Sequence, residues 1–316
     1  MEIMLLPAAL LSMLLATQAP APQPTLPEIL ARVAEEAEVL AQNAPKALTQ
    51  ETLEQRTMVL PPRALLRVGK AATVTPKPKL LVREIVSEYS VGSLKESDSP
   101  DLVEFRQVVS VDGRRVQSAE HARHALSLGI QSPNDRVRKR MLEDFAKHGL
   151  VDVATDYGLI LLAFTKRGLA NMQVTPAGET RVGAEDALIF SWRQTSAAGG
   201  ELDFFGNQSV RRPLQGMLYV RKSDGLPLRV QAWAEHPDAK RTIRDEAAVE
   251  YALSTHGFVM PASVVHRHLV DGELKTENLY RYEPFKLFSA DAEIKFTEVP
   301  ETPPPPPPAP PLPPKK

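Results

Sequence analysis

Residues 214–233 read LQGMLYVRKSDGLPLRVQAW. Two apolar-alternating runs flank Asp224-Gly225, a dipeptide that favours positive φ at both central positions of a tight hairpin turn. Leu218 and Val220 share a face of the first arm. Leu228 and Val230 share a face of the second, with Arg229 and Gln231 opposite. That pattern describes a half-buried antiparallel pair.

Alternation continues on both sides of this hairpin. After Leu169 the period is two almost throughout, giving strands over 169–174, 187–194, 201–205, 215–222, 226–235, 240–251, 258–270, 273–282 and 293–297. Gly178, Gly183, Gly199-Gly200, His256-Gly257 and Asp271-Gly272 punctuate them. Connections this short imply an antiparallel meander. So many strands must curl, close or split into two layers. Upstream, 80–91 and 102–111 form an early hairpin layer with Asp112-Gly113 as a turn, and 47–58 leans towards strand without a settled period.

Helical signals precede and interrupt the strands. Thr25-Leu26-Pro27-Glu28 has the pattern of a capping box, and Ile29, Val33, Ala37 and Leu40 make the stripe of the helix that follows. A helical block spans 118–167. Ser118 starts one helix and Pro133 a second, with Val137, Met141, Leu142 and Phe145 on its apolar face and Arg136, Arg138, Lys139 and Arg140 opposite. Residues 156–167 are apolar enough for a helix buried on most sides, with a buried strand as the alternative.

The termini are of different character. Residues 3–16, IMLLPAALLSMLLA, are too short to cross a bilayer and read as the core of a secretory signal. Residues 300–314 are almost all proline, an extended polyproline II tail. The expected organisation is a signal over 1–19, one domain over 20–298 and a tail over 299–316. The mature chain is expected to be periplasmic or extracellular and to have no transmembrane span.

Charge and composition exclude several classes of function. Lys plus Arg number 38 against 39 Asp plus Glu, a net of −1, so no global field attracts nucleic acid. With no cysteine there are no disulfides, thiolate metal sites or thiol catalysis. No G-x-S-x-G, H-E-x-x-H, phosphate loop or dinucleotide fingerprint occurs. His266 and His268 share a strand face, but a metal site needs a third ligand from elsewhere, and a pair near a strand end suits a wet rim. Asp245 and Glu246 point to opposite faces and cannot act as a pair.

The run from Gly216 to Phe288 resembles the outer-membrane lipoprotein carrier (LolA/LolB-like) superfamily. The resemblance lies in the strand 217–221, the string Asp224-Gly225-Leu226-Pro227-Leu228-Arg229-Val230, the long strand 241–251, Gly257-Phe258-Val259-Met260-Pro261, and Tyr280-Arg281-Tyr282 before Phe285 and Phe288. It implies an α+β fold: a large curved antiparallel sheet, an incomplete barrel, with the inserted helical block covering one face. It also implies a non-enzymatic protein without cofactor, binding a lipid or acylated protein in an apolar interior. The candidate ligand-binding residues are Leu218, Val220, Leu228, Val230, Ile243, Val249, Val264 and Tyr280. An envelope interaction protein with a solid core and a docking tail is the alternative, as is a hydrolase with an unrecognised site.

Overall fold

The computed structural model describes residues 24–59, 77–93, 102–131, 135–151, 156–196, 201–205 and 208–287. The signal, the strand over 293–297, Phe288 and the proline tail lie outside the described residues.

Helix α1 (Leu26–Asn43) starts where the sequence places it. The Thr25 N–H donates to Glu28 at 2.7 Å, one arm of a capping box. Its stripe of Ile29, Val33, Ala37 and Leu40 is buried. Strands β1 (Ala47–Val59), β2 (Lys79–Ser93), β3 (Leu102–Val111) and the short β4 (Arg114–Arg115) follow. Next come α2 (Ala119–Gln131), α3 (Asp135–Lys147), a 3-10 segment at Tyr157–Phe164 and α4 (Lys166–Leu169). The remaining strands are β5 (Met172–Val182), β6 (Glu185–Gln194), β7 (Glu201–Phe205), β8 (Gln208–Arg212), β9 (Gln215–Arg221), β10 (Pro227–Asp238), β11 (Arg241–Leu253), β12 (Val259–Val270), β13 (Glu273–Tyr282) and β14 (Lys286–Leu287).

One sheet takes in all of these except β7 and β8, in the order β4-β3-β2-β1-β13-β12-β11-β10-β9-β6-β5, with β14 on β1. Every pairing is antiparallel, and the sheet is open at β4 and β5 rather than closed into a barrel. This is the expected α+β curved sheet. The early strands are not a separate layer, because β1 pairs with β13 and joins both ends of the chain into one surface.

Four local details differ from the sequence reading. The Asp224-Gly225 hairpin forms, but Arg221 and Leu226 close a loop of four residues in which Gly225 alone takes positive φ (72°). Asp112-Gly113 and Asp271-Gly272 are two-residue turns with positive φ at both residues. Gly178 is a bulge inside β5 rather than a break. The meander is interrupted by the β7–β8 hairpin, which leaves the sheet, so β6 pairs with β9. The helical residues 157–164 adopt 3-10 geometry.

Helices cover both faces. Helix α2 packs on the outer face of β2 and β3, where Leu126 meets Val103 and Phe105. On the concave face, α1 and the 3-10 segment join the inward residues of the sheet in one apolar cluster.

Candidate functional site

The concave face divides into an apolar and a polar half. The apolar half holds Leu218, Val220, Val230, Val249 and Val264, each at most 1% exposed, with Phe190, Trp192 and Met260. Register explains the grouping: Val230 faces Leu218 on one side and Val249 on the other, and Val249 faces Val264, which faces Tyr280. Six of the eight candidate residues therefore meet in one cluster.

Leu228 and Ile243 do not. A bulge between Pro227 and Arg229 shifts the β9–β10 register, so Leu228 packs with Val182, Ala187 and Tyr219. Ala187 and Tyr219 face away from the concave cluster, and an extra residue in one strand re-aims a side chain in this way. Ile243 is half-buried and sits opposite His236 near the start of β11.

The 3-10 segment occupies the apolar half. Leu159, Leu161 and Phe164 are buried in the cluster, and Phe164 meets Trp192 edge-on with ring centroids 5.3 Å apart. The expected apolar interior is thus present but filled by the chain itself. Two clefts of about 510 and 310 Å³ lie at the rim, lined by Arg83, Asp112 and Arg114 and by Arg193, Arg212 and Glu235 respectively.

The polar half was not legible in the sequence. On β1 the inward positions are Thr49, Glu51, Leu53, Gln55 and Thr57, all buried. Arg106 on β3 donates from Nε to Glu51 at 2.7 Å and from Nη2 to Glu104 at 2.8 Å, with all three side chains 1% exposed. Its guanidinium lies over the rings of Tyr89 and Tyr280. Burial pushes the Glu51 carboxyl up, opposed by Arg106. Burial alone would disfavour charge on Arg106, but the two carboxylates hold it charged. Arg106 and Glu104 stand two apart on one strand face, and that spacing is the signal that could have exposed the triad.

These buried polar groups act as tethers for the chain that covers the sheet. Gln55 donates from Nε2 to the Val151 carbonyl at 2.7 Å and accepts from the Val151 N–H at 3.0 Å. The Asp156 N–H donates to Glu104 at 2.7 Å, while Asp156 accepts from the Glu104 N–H at 2.8 Å. The Tyr251 hydroxyl, on β11, donates to the Gly158 carbonyl at 3.1 Å and accepts from the Leu161 N–H at 3.0 Å. Gly158 needs its missing side chain, because a Cβ there meets Glu104 Oε1 at 2.5 Å.

A second cluster lies towards the β12–β13 turn. His266 is buried rather than at a wet rim, while His268 is partly exposed; His268 lies opposite Asp245 across the β11–β12 pair and His266 opposite Ala247, diagonal to it. The His268 Nδ1 is 2.8 Å and the His266 Nε2 3.4 Å from the same Asp245 oxygen. Burial raises the Asp245 carboxyl, but hydrogen bonds from His266 and His268 overcome it and hold the group well below the usual carboxylate range. The His266 Nδ1 accepts from the Asn278 amide, so both ring nitrogens are engaged and neither is left to activate a nucleophile. Among the described residues no group of three or more His, Cys, Asp or Glu has the geometry to hold a metal ion.

No protein-family model matches the sequence, and no curated protein matches it at a significant level. Solved structures similar to this chain include a DUF1329 family protein from Desulfovibrio piger. It is 10% identical, with a TM-score of 0.34 over 83% of this chain and 95% of the other. Another is an outer membrane lipoprotein-sorting protein domain from Vibrio parahaemolyticus, 8% identical, with a TM-score of 0.29 over 84% of this chain and 94% of the other. Among the described residues no helix is long and apolar enough to cross a membrane.

Proposed function

We propose that this is a non-enzymatic binding protein of the bacterial envelope, which takes a lipid or the acyl chain of an acylated protein on the concave face of its sheet. The observation that carries this reading is the 3-10 segment Tyr157–Phe164. It is an uncharged run, YGLILLAF, lying where an apolar ligand would lie. Eight residues at a rise of about 2 Å each cover roughly 16 Å, the scale of an acyl chain.

Binding is then an exchange of occupants. Each buried methylene contributes about 0.8 kcal/mol, so an acyl chain replaces the burial that the segment gives up. A 3-10 ladder has poor hydrogen-bond geometry and is uncommon at this length, so its withdrawal forfeits little internal structure. Trp192 Nε1 is a buried donor with no hydrogen-bond partner among the described residues, a cost that an ester carbonyl could relieve. Leu218, Val220, Val230, Val249, Val264 and Tyr280 are the proposed ligand contacts. The apolar leader at residues 3–16 supports the envelope location, and the domain organisation over 1–19, 20–298 and 299–316 belongs to the same proposal.

A second reading rests on the packed concave face itself: an envelope interaction protein whose core is solid. One experiment separates the two. The protein is purified from its native envelope, bound lipid is identified by mass spectrometry, and displacement of a fluorescent fatty acid is measured. Bound lipid or saturable displacement supports the carrier; absence of both leaves the solid-core protein.

A further inference from the structure

A chain of hydrogen bonds crosses the concave face from β11 to β1, and both of its ends have a fixed polarity. At one end is the backbone of Val151, shortly after α3, whose N–H only donates and whose carbonyl only accepts. Gln55 meets both, with Oε1 accepting from the N–H at 3.0 Å and Nε2 donating to the carbonyl at 2.7 Å. Gln55 Nε2 also donates to Asn278 Oδ1 at 2.7 Å. That turns the Asn278 amide nitrogen towards His266 Nδ1, at 3.2 Å. At the other end the Asp245 carboxylate only accepts, and it lies 3.4 Å from His266 Nε2. Strand register sets the order, with His266 opposite Asn278 and Asn278 opposite Gln55.

With both ends fixed, donors and acceptors alternate along this chain in one way only. His266 accepts at Nδ1 and donates at Nε2, which makes it the neutral ring. A proton added at Nδ1 sets an N–H against the Asn278 amide nitrogen. Turning the Asn278 amide over repairs that contact but points its nitrogen at Gln55 Nε2. Turning Gln55 over in response sets its nitrogen against the Val151 N–H and its oxygen against the Val151 carbonyl. No setting of the two amides therefore satisfies a charged ring and the Val151 backbone together. Gln55, Asn278 and His266 are at most 3% exposed, so water is not at hand to replace a lost partner. Imidazole is the side chain whose charge ordinarily changes between about pH 5 and 8.

The groups around His266 set the balance. Asp245 meets it from β11, Asn278 from β13 and the ring of Tyr157 from the 3-10 segment, with centroids 5.2 Å apart, while His268 stands two along on β12. Asp245 is the carboxylate among these, and it favours a proton on either histidine. His268 is nearer to it, at 2.8 Å, and more exposed, so His268 takes the first proton and its charge opposes a second on His266. Glu246, Arg267 and Glu277 pair with one another on the outer face of the same strands. Arg83, opposite Gln55 on β2, is engaged by Asp112. Beyond Gln55, the Val151 bonds anchor the chain that puts Leu150, Phe145 and Met141 into the concave apolar cluster. We infer that His266 is a proton-operated latch: its protonation, passed through Asn278 and Gln55, releases Val151 and loosens the end of α3 from the sheet. The latch concerns this covering chain alone and holds whatever the concave face binds.

The test follows two signals in the full chain between about pH 8 and 5. Nitrogen NMR of the histidine rings reports the tautomer and charge of His266. Hydrogen exchange, expressed as protection relative to the unfolded chain, reports the Val151 amide. The expected result is a neutral His266 protonated at Nε2, and a Val151 protection that falls about tenfold, the scale of the hydrogen bonds lost, at the pH where His266 becomes charged. His266→Gln places an acceptor and a donor that do not titrate, and protection then stays level across the range. His268→Gln removes the competing charge and moves the fall to higher pH. Gln55→Met leaves Val151 poorly protected throughout. A neutral His266 protonated at Nδ1, a ring that stays uncharged over the range, or a Val151 protection that does not follow its charge overturns the inference. So does a His266→Gln chain that loses protection as wild type does. Both wild-type signals are read without a substitution, so a variant that fails to fold leaves the test intact.

Discussion

Replacing Tyr251 by phenylalanine separates the two occupants of the concave face. The Tyr251 hydroxyl is buried, and burial pushes its ionisation far up, so it remains a neutral donor and acceptor. It bonds the Gly158 carbonyl and the Leu161 N–H, and these are its contacts with the 3-10 segment that the substitution removes. Phenylalanine keeps the ring packing and leaves both backbone groups buried without that partner, at a cost of about 1–3 kcal/mol. When the segment is withdrawn the same groups reach water, so the cost falls on the occupied state alone. If ligand binds only the withdrawn state, its apparent affinity rises by the same free energy, roughly 5- to 150-fold. The assay is titration of the Tyr251→Phe chain with a fluorescent fatty acid, alongside thermal unfolding. The expected result is tighter binding together with a melting temperature lowered by several degrees. A lowered melting temperature with unchanged or weaker binding refutes the exchange.

Gly158→Ala tests the same step by sterics: its Cβ meets Glu104 Oε1 at 2.5 Å, so the segment is expected to dock poorly and fatty-acid affinity to rise as for Tyr251→Phe. Arg106→Met leaves Glu51 and Glu104 buried without their cation and should cost about 3–5 kcal/mol in urea unfolding at pH 7; a loss below about 1 kcal/mol contradicts the assigned role. The lowered Asp245 ionisation gives a pH signature. Its contribution to stability is present above the unfolded value near 3.8 and is lost as pH falls towards the folded value, so between about pH 4 and 2 Asp245→Asn should flatten the stability curve by about 1.4 kcal/mol per pH unit. Parallel curves would show that Asp245 is not held ionised. Gly225→Ala should cost about 1–2 kcal/mol in denaturant unfolding through backbone strain alone, because its φ is 72° and the new Cβ makes ordinary contact with Arg32 at 3.5 Å.

The antiparallel sheet was readable because its strands are marked locally. Val230 alternates with Arg229 and Gln231, and Asp112-Gly113 and Asp271-Gly272 turn the chain where positive φ is needed. The stripe of α1 was readable for the same reason. Leu228 was misplaced because alternation assumes an unbroken register, and a bulge is a pairing property that one strand does not reveal. Strand β1 had no settled period because its inward face carries Thr49, Glu51, Gln55 and Thr57, residues that elsewhere mark a solvent face. Their burial is tolerable only through partners distant in sequence, such as Arg106 for Glu51 and Asn278 for Gln55. The second pairing is set by the β1–β13 register and the first by the β1–β2 and β2–β3 registers, none of which one strand reveals. The filled interior was hidden for a related reason: an apolar run at 156–167 signals burial without saying what it is buried against.

The central claim is that the 3-10 segment and an apolar ligand compete for one face. Hydrogen–deuterium exchange at the amides of Leu161 and its neighbours, with and without saturating palmitate, tests it most directly. The Leu161 N–H is bonded to Tyr251 in the free protein. Faster exchange across residues 157–164 in the presence of palmitate is the expected result. Unchanged or slower exchange there, with palmitate bound, contradicts the account.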